Sequence, residues 1–388
     1  MTTRDFDLVV YGASGYTGRL VAEYLARRNA LDADLRWAIA GRSRERLEAT
    51  RAEIGASPAT PLLVAPSEPQ ALREMAARAS VVLSTAGPYQ QVGSDLVAAC
   101  VESGTDYVDL CGEPNWIREM IDAHEQKAAS SGARIVFSCG FDSVPFDLGV
   151  LALQDEAQRR FGGPCIEIKA RVRKMKGSLS GGTVASLRAT RAACNDAAVA
   201  ELMADPFALT PGFAGPKQPS DSTPQFEDCM NVWAAPFIMA PINTKTVHRS
   251  NMLLGHTYGA DFLYSEMLVT GPGERGEQLA TAIASGLALM REDAPKPGEG
   301  PTVEERANGH YDIVFLGQMP DGRAICASVA DDADPGYGST SKMVAESALC
   351  LFRDRPDTPG GIWTPASALG LALAARLERH AGLTFQIE

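Results

Sequence analysis

Apolar residues in the first third of the chain fall into short runs separated by helical patterns. Leu8-Val9-Val10-Tyr11 is a continuous run ended by glycine, as a strand buried on both faces should be. Tyr16 to Arg28 follows as a helix, with Leu20, Val21, Tyr24 and Leu25 on one face and Arg19, Glu23 and Arg27 elsewhere. Further strands are predicted at Leu35 to Ala40, Leu62 to Val64, Val81 to Leu83, Tyr107 to Leu110 and Ile135 to Phe137. Helical patterns at Arg44 to Glu53, Gln70 to Arg78, Ser94 to Glu102 and Asn115 to Ala129 lie between them. Strand and helix alternating at this spacing predict an α/β fold with a doubly wound, Rossmann-type parallel sheet over residues 1–148.

Beyond Leu148 the pattern changes. A helix from Val150 to Arg160 leads into Ile166 to Arg173, where apolar and charged residues alternate as in a sheet solvated on one face. On this reading Arg171, Arg173, Lys174 and Lys176 form a solvated basic face. A helix is expected from Val184 to about Met203, then a Pro-, Gly- and Ser-rich loop from Asp205 to Gln225. The apolar run Val232 to Ala240 is too short to span a membrane and is expected to line a core or a pocket. Lys245, His248 and Arg249 read as surface or interface residues. Strands are predicted at Phe262 to Val269, Asp312 to Leu316 and Ala324 to Val329, the last two joined by a Pro320-Asp321-Gly322 turn. Lys342 to Asp354 and Pro365 to His380 read as closing helices. Residues 149–339 therefore form a second, α+β domain with a mostly antiparallel sheet.

Composition narrows the function. The formal net charge is -12, which argues against a broad nucleic-acid surface. Neither a secretory signal nor a membrane span is apparent. The eight cysteines form no C-x-x-C pair, so no metal site is expected, and reduced, mostly buried thiols in a cytoplasm are the simplest reading.

The strongest chemical signal is Gly12-Ala13-Ser14-Gly15-Tyr16-Thr17-Gly18, between the first strand and the first helix. Gly12 suits the sharp turn, Gly15 leaves room for a pyrophosphate, and Gly18 lets helix and sheet approach. Ser14, Tyr16 and Thr17 complete the loop, whose amides would hold the phosphate charge. The second strand ends at Ala40-Gly41-Arg42-Ser43, with no acid to bond the ribose hydroxyls of NAD. Arg42 with Ser43 suits a 2′-phosphate instead, so NADPH is the expected cofactor.

Ligands in such folds lie beyond the carboxyl ends of the strands. Two small-residue turns fall there: Ser84-Thr85-Ala86-Gly87-Pro88-Tyr89 and Ser138-Cys139-Gly140-Phe141-Asp142-Ser143. Ala86, Gly87, Pro88, Cys139 and Gly140 are expected against the nicotinamide half of the cofactor. Tyr89 is the first choice for a proton donor or oxygen-binding group, supported by Asp142 and Ser143. Against this stand ordinary roles: a packed loop aromatic for Tyr89 and a helix cap for Asp142. Ser180 and Thr183 either cap a helix or face a substrate.

These motifs together resemble the saccharopine dehydrogenase-like oxidoreductases. The resemblance rests on G-A-S-G-Y-T-G, A-G-R-S, S-T-A-G-P-Y, Y-V-D-L-C-G-E (Tyr107 to Glu113) and C-G-F-D-S-V-P. It continues through S-G-G-T, H-R-S-N (His248 to Asn251), D-P-G-Y-G (Asp334 to Gly338) and L-T-F (Leu383 to Phe385). Several of these are specific to the branch of trans-acting enoyl reductases. The resemblance implies NADPH-dependent reduction of an enoyl thioester carried by a polyketide synthase, in lipid synthesis. It also implies that residues 340–388 return to the nucleotide-binding domain and that the middle domain forms a homodimer. The sequence departs from the family at Ala65-Pro66-Ser67, where an Asp is often placed near the adenine. Two rival readings remain open at this point. One is saccharopine-type C–N oxidoreduction, with Arg188 or Arg249 clamping a carboxylate. The other is a non-catalytic NADPH-binding scaffold, which peripheral lipid contact would suit.

Overall fold

The computed structural model describes residues 4–31, 34–178, 180–285, 296 and 298–388. From the N-terminus, the first unit runs β1 (Phe6–Tyr11), α1 (Tyr16–Leu31), β2 (Trp37–Gly41), α2 (Arg44–Glu53), β3 (Leu62–Val64) and α3 (Pro69–Ala76). It continues with β4 (Ala79–Ser84), α4 (Tyr89–Val92), α5 (Ser94–Ser103), β5 (Asp106–Asp109), α6 (Pro114–Ser131) and β6 (Arg134–Val136). Helix α7 (Val144–Phe161) leads to β7 (Glu167–Lys176), α8 (Gly181–Ala193), α9 (Ala197–Ala204), β8 (Gln225–Glu227) and β9 (Val232–Pro236). Next come α10 (Ala240–Leu253), β10 (Leu263–Gly271), α11 (Gly273–Ala284), α12 (Val303–Ala307), β11 (His310–Gln318) and β12 (Ala324–Asp331). A single π-helical turn (Pro335–Ser339), α13 (Thr340–Arg353), β13 (Gly361–Trp363), α14 (Pro365–Ala381) and β14 (Thr384–Ile387) close the chain.

The first sheet is parallel throughout, in the order β13-β6-β5-β4-β1-β2-β3. Its apolar runs are explained by burial on both faces. Trp37 and Ile39 of β2, with Val81 and Leu83 of β4, join the core that includes Val21 and Leu25 of α1 and Met343 and Val344 of α13. Ala38, Ala40 and Val82 point to the opposite core, with Leu72 of α3, Leu96 of α5 and Trp116 of α6. Chain order reverses between β1 and β4, which are paired through Tyr11 and Ser84 at their carboxyl ends. A ligand crevice is expected at such a reversal.

The second sheet has the order β14-β12-β11-β7-β10-β9-β8. Only the β7–β10 pairing is parallel; the others are antiparallel. Thus the fold class read from the sequence holds. The closing segment is shared between the sheets: β13 extends the first beside β6, whereas β14 edges the second beside β12.

Four local expectations are corrected. Helix α7 begins at Val144, not Val150, because Pro145 fits the first helical turn, where its missing N–H costs nothing. The single helix expected from Val184 to Met203 is two helices, broken at Cys194–Asp196, where Asp196 caps α9 through the Ala198 amide at 2.8 Å. Arg171 is not on a solvated face. It is 0% exposed and its Nε donates to Glu227 at 2.7 Å, with Ser265 also in reach. Lys245, His248 and Arg249 are not surface residues either, being buried along α10. Arg249 donates to the Leu209 and Ile362 carbonyls and pairs with Glu125 at 2.9 Å. Ser250 donates to Asp147 at 2.6 Å, and Asn251 accepts from the Tyr258 amide. H-R-S-N is therefore an interior tie between α10, α7 and the region of β13, and Arg249 is spent within it.

All eight cysteines are free, and five are fully buried. No described helix is long and apolar enough to cross a membrane, and no metal-binding cluster occurs among the described residues.

Candidate active site

One cleft of about 630 Å³ runs from the glycine loop to the second sheet. At its nucleotide end the loop geometry is set by contacts a side chain would break. Gly12 has φ of +83°, and a Cβ there would lie 2.9 Å from Thr85 Oγ1. A Cβ on Gly18 would overlap the Gly12 carbonyl and come within 2.7 Å of the same hydroxyl. Gly15 differs: the nearest described atom would be the Gly12 carbonyl oxygen at 3.3 Å, and the outer side of the loop is open. Two glycines thus serve the protein's own packing and the third leaves space facing the cleft. Tyr16, Thr17 and Gly18 begin α1, where first-turn amides lack helical acceptors and attract anions. A dinucleotide diphosphate fits this cradle.

Ser14, Gly15, Tyr16, Thr17 and Arg42 all border the cleft, with Thr85, Ala86, Gly87 and Gly140. Arg42 is exposed and makes no hydrogen bond or ion pair among the described residues. Arg46 lies beside it, reaching the Ser14 carbonyl at 3.3 Å. Sequence reasoning missed Arg46; its signal was the position one helical turn beyond Ser43. Ser43 caps α2 by accepting from the Arg46 amide at 3.3 Å, so it orders the turn that presents both guanidinium groups. Ser67 also borders the cleft.

Three expected residues, Cys139, Pro88 and Ser143, sit behind the wall, whereas Tyr89 lines the cleft with its hydroxyl bonded to the main chain. Cys139 is buried with its thiol toward the Val136 carbonyl. Pro88 follows a cis peptide bond and sets the start of α4. Ser143 is buried and donates to Asn243 at 3.2 Å, and Asn243 in turn donates to Glu266 at 2.7 Å. Tyr89 is 3% exposed. Its hydroxyl donates to the Ser84 carbonyl at 3.1 Å and accepts from the Leu110 amide at 3.4 Å, while its ring packs on Trp116. Burial holds its hydroxyl pKa well above the usual tyrosine value.

Glu113 is the last residue of Y-V-D-L-C-G-E, and its role is visible only in the folded chain. It accepts from the Tyr89 and Gln90 amides, both at 2.9 Å, and from Ser186 of α8 at 2.8 Å. A buried acid thus anchors the β4–α4 turn to the helix across the cleft. The reason is the helix start itself, whose free amides need acceptors.

Asp142 stands apart from these. It borders the cleft, and its carboxyl makes no hydrogen bond or ion pair among the described residues. Burial alone raises it to about 6. A carboxyl so placed is protonated often enough near neutrality to give up a proton. Nearby polar groups come from segments far apart in sequence. The Tyr337 hydroxyl, on the π-helical turn, bonds Thr183 at 2.7 Å and accepts from the Ser180 amide. D-P-G-Y-G and S-G-G-T therefore meet, held by Asp334, which accepts from the Tyr337 and Gly338 amides. The remaining wall is apolar, with Leu187, Met203, Phe237, Met239 and Ile242.

The family model of the saccharopine dehydrogenase NADP binding domain matches residues 8–136. Saccharopine dehydrogenase (L-Glu forming) of Saccharomyces cerevisiae is similar in structure, with a TM-score of 0.54 at 13% identity, covering 99% of this chain and 100% of that one. Fold and site thus define an oxidoreductase built around a nicotinamide dinucleotide. Among curated relatives, a Mycobacterium tuberculosis protein named as a candidate trans-acting enoyl reductase is 41% identical, covering 99% of this chain and 98% of its own. The trans-acting enoyl reductase of Mycobacterium ulcerans is 39% identical, covering 96% of each chain. The chain belongs to the trans-acting enoyl reductase family of saccharopine dehydrogenase-like oxidoreductases.

Proposed function

We propose that the protein uses NADPH to reduce the C=C bond of an enoyl thioester presented by a polyketide synthase. One observation carries the reading: a single cleft joins the glycine loop and Arg42 to an unpartnered carboxyl set among apolar side chains. When bound, NADPH supplies the hydride. The loop from Gly12 to Gly18 and the start of α1 hold the diphosphate, and Arg42 with Arg46 faces the 2′-phosphate. Ala86, Gly87 and Gly140 border the nicotinamide half. The hydroxyl cluster of Ser180, Thr183 and Tyr337 steadies negative charge developing on the thioester oxygen. Asp142 gives a proton to the α-carbon, which takes over the role first expected of Tyr89. Tyr89 and Ser143 are positioning residues, and Cys139 and Pro88 shape the wall.

The apolar wall supports an acyl substrate over an amino-acid one. The C–N reading needs a cationic clamp; Arg188 is exposed and does not line the cleft, and Arg249 is committed to Glu125 and main-chain carbonyls. The experiment follows NADPH absorbance with crotonyl-type thioesters, and with a 2-oxo acid plus an amine as the rival pair. Oxidation with the thioester alone is the expected result. Oxidation only with the oxo acid and amine favours the C–N reaction. Tight NADPH binding with no oxidation by either favours a scaffold.

A further inference from the structure

A second cavity, of about 520 Å³, adjoins the apolar end of the cleft. Met203 of α9 and Pro241 of α10 line both spaces, which therefore meet at these residues. Lys245 fixes that junction. Its side chain is buried, and its ammonium donates to the Met203 carbonyl at 2.8 Å and the Pro241 carbonyl at 2.9 Å. The junction lies close to the chemistry. A Cβ on Gly112 would sit 3.4 Å from Asp142 Oδ2 and 3.3 Å from Ile242 Cδ1, and Ile242 follows Pro241 directly.

The two spaces differ in character. The first ends in Phe237, Ile238, Met239 and Ile242. The second is walled by Asp205, Asp221 and Lys245 and by the Pro- and Gly-rich loop between α9 and β8. That loop is held in shape by Gln218, which accepts from the Tyr264 amide at 2.9 Å and donates to the Pro216 and Phe262 carbonyls. Lys217 is exposed at the lining and makes no ion pair or hydrogen bond among the described residues. An alkyl chain would cover Phe207, Tyr264 and the prolines of this lining but would strip water from Asp205, Asp221 and Lys217 without replacing the hydrogen bonds. A chain of amides and hydroxyls can replace them.

We propose that the second cavity is the subsite for the amide-bearing arm of a thioester substrate, with Lys217 meeting the phosphate at the far end of that arm. The assignment rests on the reductase reading. It makes the substrate bipartite: the acyl group lies against the apolar wall near Asp142, and the arm passes Met203 and Pro241.

The test uses pantetheine as the probe and Ala204→Trp as the variant. Ala204 is exposed on α9 and lines only the second cavity, so the substitution fills that space without entering a core. By calorimetry, the wild-type protein should bind pantetheine, and Ala204→Trp should weaken it about tenfold or more. 4′-Phosphopantetheine should bind more tightly than pantetheine, and Lys217→Ala should abolish that gain. In NADPH oxidation, the preference for a pantetheinyl over an N-acetylcysteamine thioester of the same acyl group should collapse toward unity in Ala204→Trp. Absent pantetheine binding, or binding unchanged in the variant, overturns the subsite even if both thioesters are reduced. Binding that depends on Ala204 with no oxidation of NADPH by either thioester upholds the subsite and overturns the reductase reading.

Discussion

The two ends of the cleft are built in opposite ways. The nucleotide end comes mainly from one βα turn and the next strand end, within the first fifty residues, and its tight glycines are fixed against the Gly12 carbonyl and the Thr85–Ala86 turn. The substrate end is assembled from the β6–α7 turn, α8, α9, the start of α10 and the π-helical turn near residue 337. No two of these are adjacent along the chain except α8 with α9. The first construction binds a constant group, and close backbone approach is its main requirement. The second presents side chains from separate elements, so each can vary without disturbing the others. In α8 only Gly181 is buried, and in α9 no residue is. That arm is the least embedded part of the wall, in contrast to β1 and β2, every residue of which is buried.

If chemistry belongs to the substrate end and affinity to the other, Asp142→Asn should give the largest split between them. Loss of a general acid is expected to lower kcat/KM about hundredfold or more. NADPH affinity should stay within about twofold, because Asp142 touches none of the diphosphate cradle. The wild-type rate should fall about tenfold per pH unit above the carboxyl's value near 6, since only the protonated form donates. The variant should lack that limb.

Stability should move the other way. The folded-state carboxyl binds its proton more tightly than in the unfolded chain. Its stabilising contribution is therefore complete at low pH and is lost as pH rises from the unfolded value to about 6. At neutral pH, Asp142→Asn should be more stable than wild type by on the order of 1–3 kcal/mol. Asp109 and Asp147, raised to about 7, and Glu266, raised to about 8, share the sign. Both proteins should thus keep losing stability up to about pH 8. Denaturant titrations across pH would separate the two contributions. A variant equally slow but less stable at every pH would mean that Asp142 is structural.

How much could be read in advance follows the same division. Gly12, Gly15 and Gly18 were legible because a tight turn, an open face and a close helix each impose glycine within seven residues. Arg42 was legible because an acid is missing from a position where one is expected. Arg46 was not, because its approach to Ser14 depends on how α2 is set by its Ser43 cap. On the substrate side, Tyr89 ranked above Asp142 by residue type. The proposed ranking is the reverse, because the tyrosine hydroxyl meets main-chain partners and the carboxyl meets none among the described residues. Arg171 and Arg249 misled for one reason. A sequence shows the charge, whereas burial is decided by Glu227 and Glu125, which lie 56 and 124 residues away. The break before α9 had a local sign, Asn195-Asp196, that the surrounding alanines masked.

At the nucleotide end the corresponding test is Arg42→Ala. With no hydrogen-bond or ion-pair partner among the described residues, the Arg42 guanidinium is available to a 2′-phosphate, so the variant should bind NADPH more than tenfold more weakly. NADH, which lacks that phosphate, should be nearly unaffected. Arg46→Ala should act in the same direction and less, because its guanidinium is partly engaged by the Ser14 carbonyl. Fluorescence titration with each cofactor measures both. Equal losses for NADPH and NADH would place the arginines at the adenine or the loop itself.

The smallest effect should come from Tyr89→Phe, and it is informative because it is small. The hydroxyl is held between the Ser84 carbonyl and the Leu110 amide, with burial keeping it protonated. Its removal forfeits two hydrogen bonds, one to the Ser84 carbonyl and one from the Leu110 amide, together about 1–3 kcal/mol of stability. The ring stays against Trp116, so the β4–α4 turn should keep its place. Turnover with an enoyl thioester should then fall by less than about threefold, with no change in the pH profile. A hundredfold loss, with the limb near pH 6 moved or gone, would return the proton to Tyr89 and leave Asp142 to orient it. The same two variants combined would settle which residue acts through the other. Near-additive losses mean separate roles, and a double variant no slower than Asp142→Asn means that the tyrosine serves only the acid.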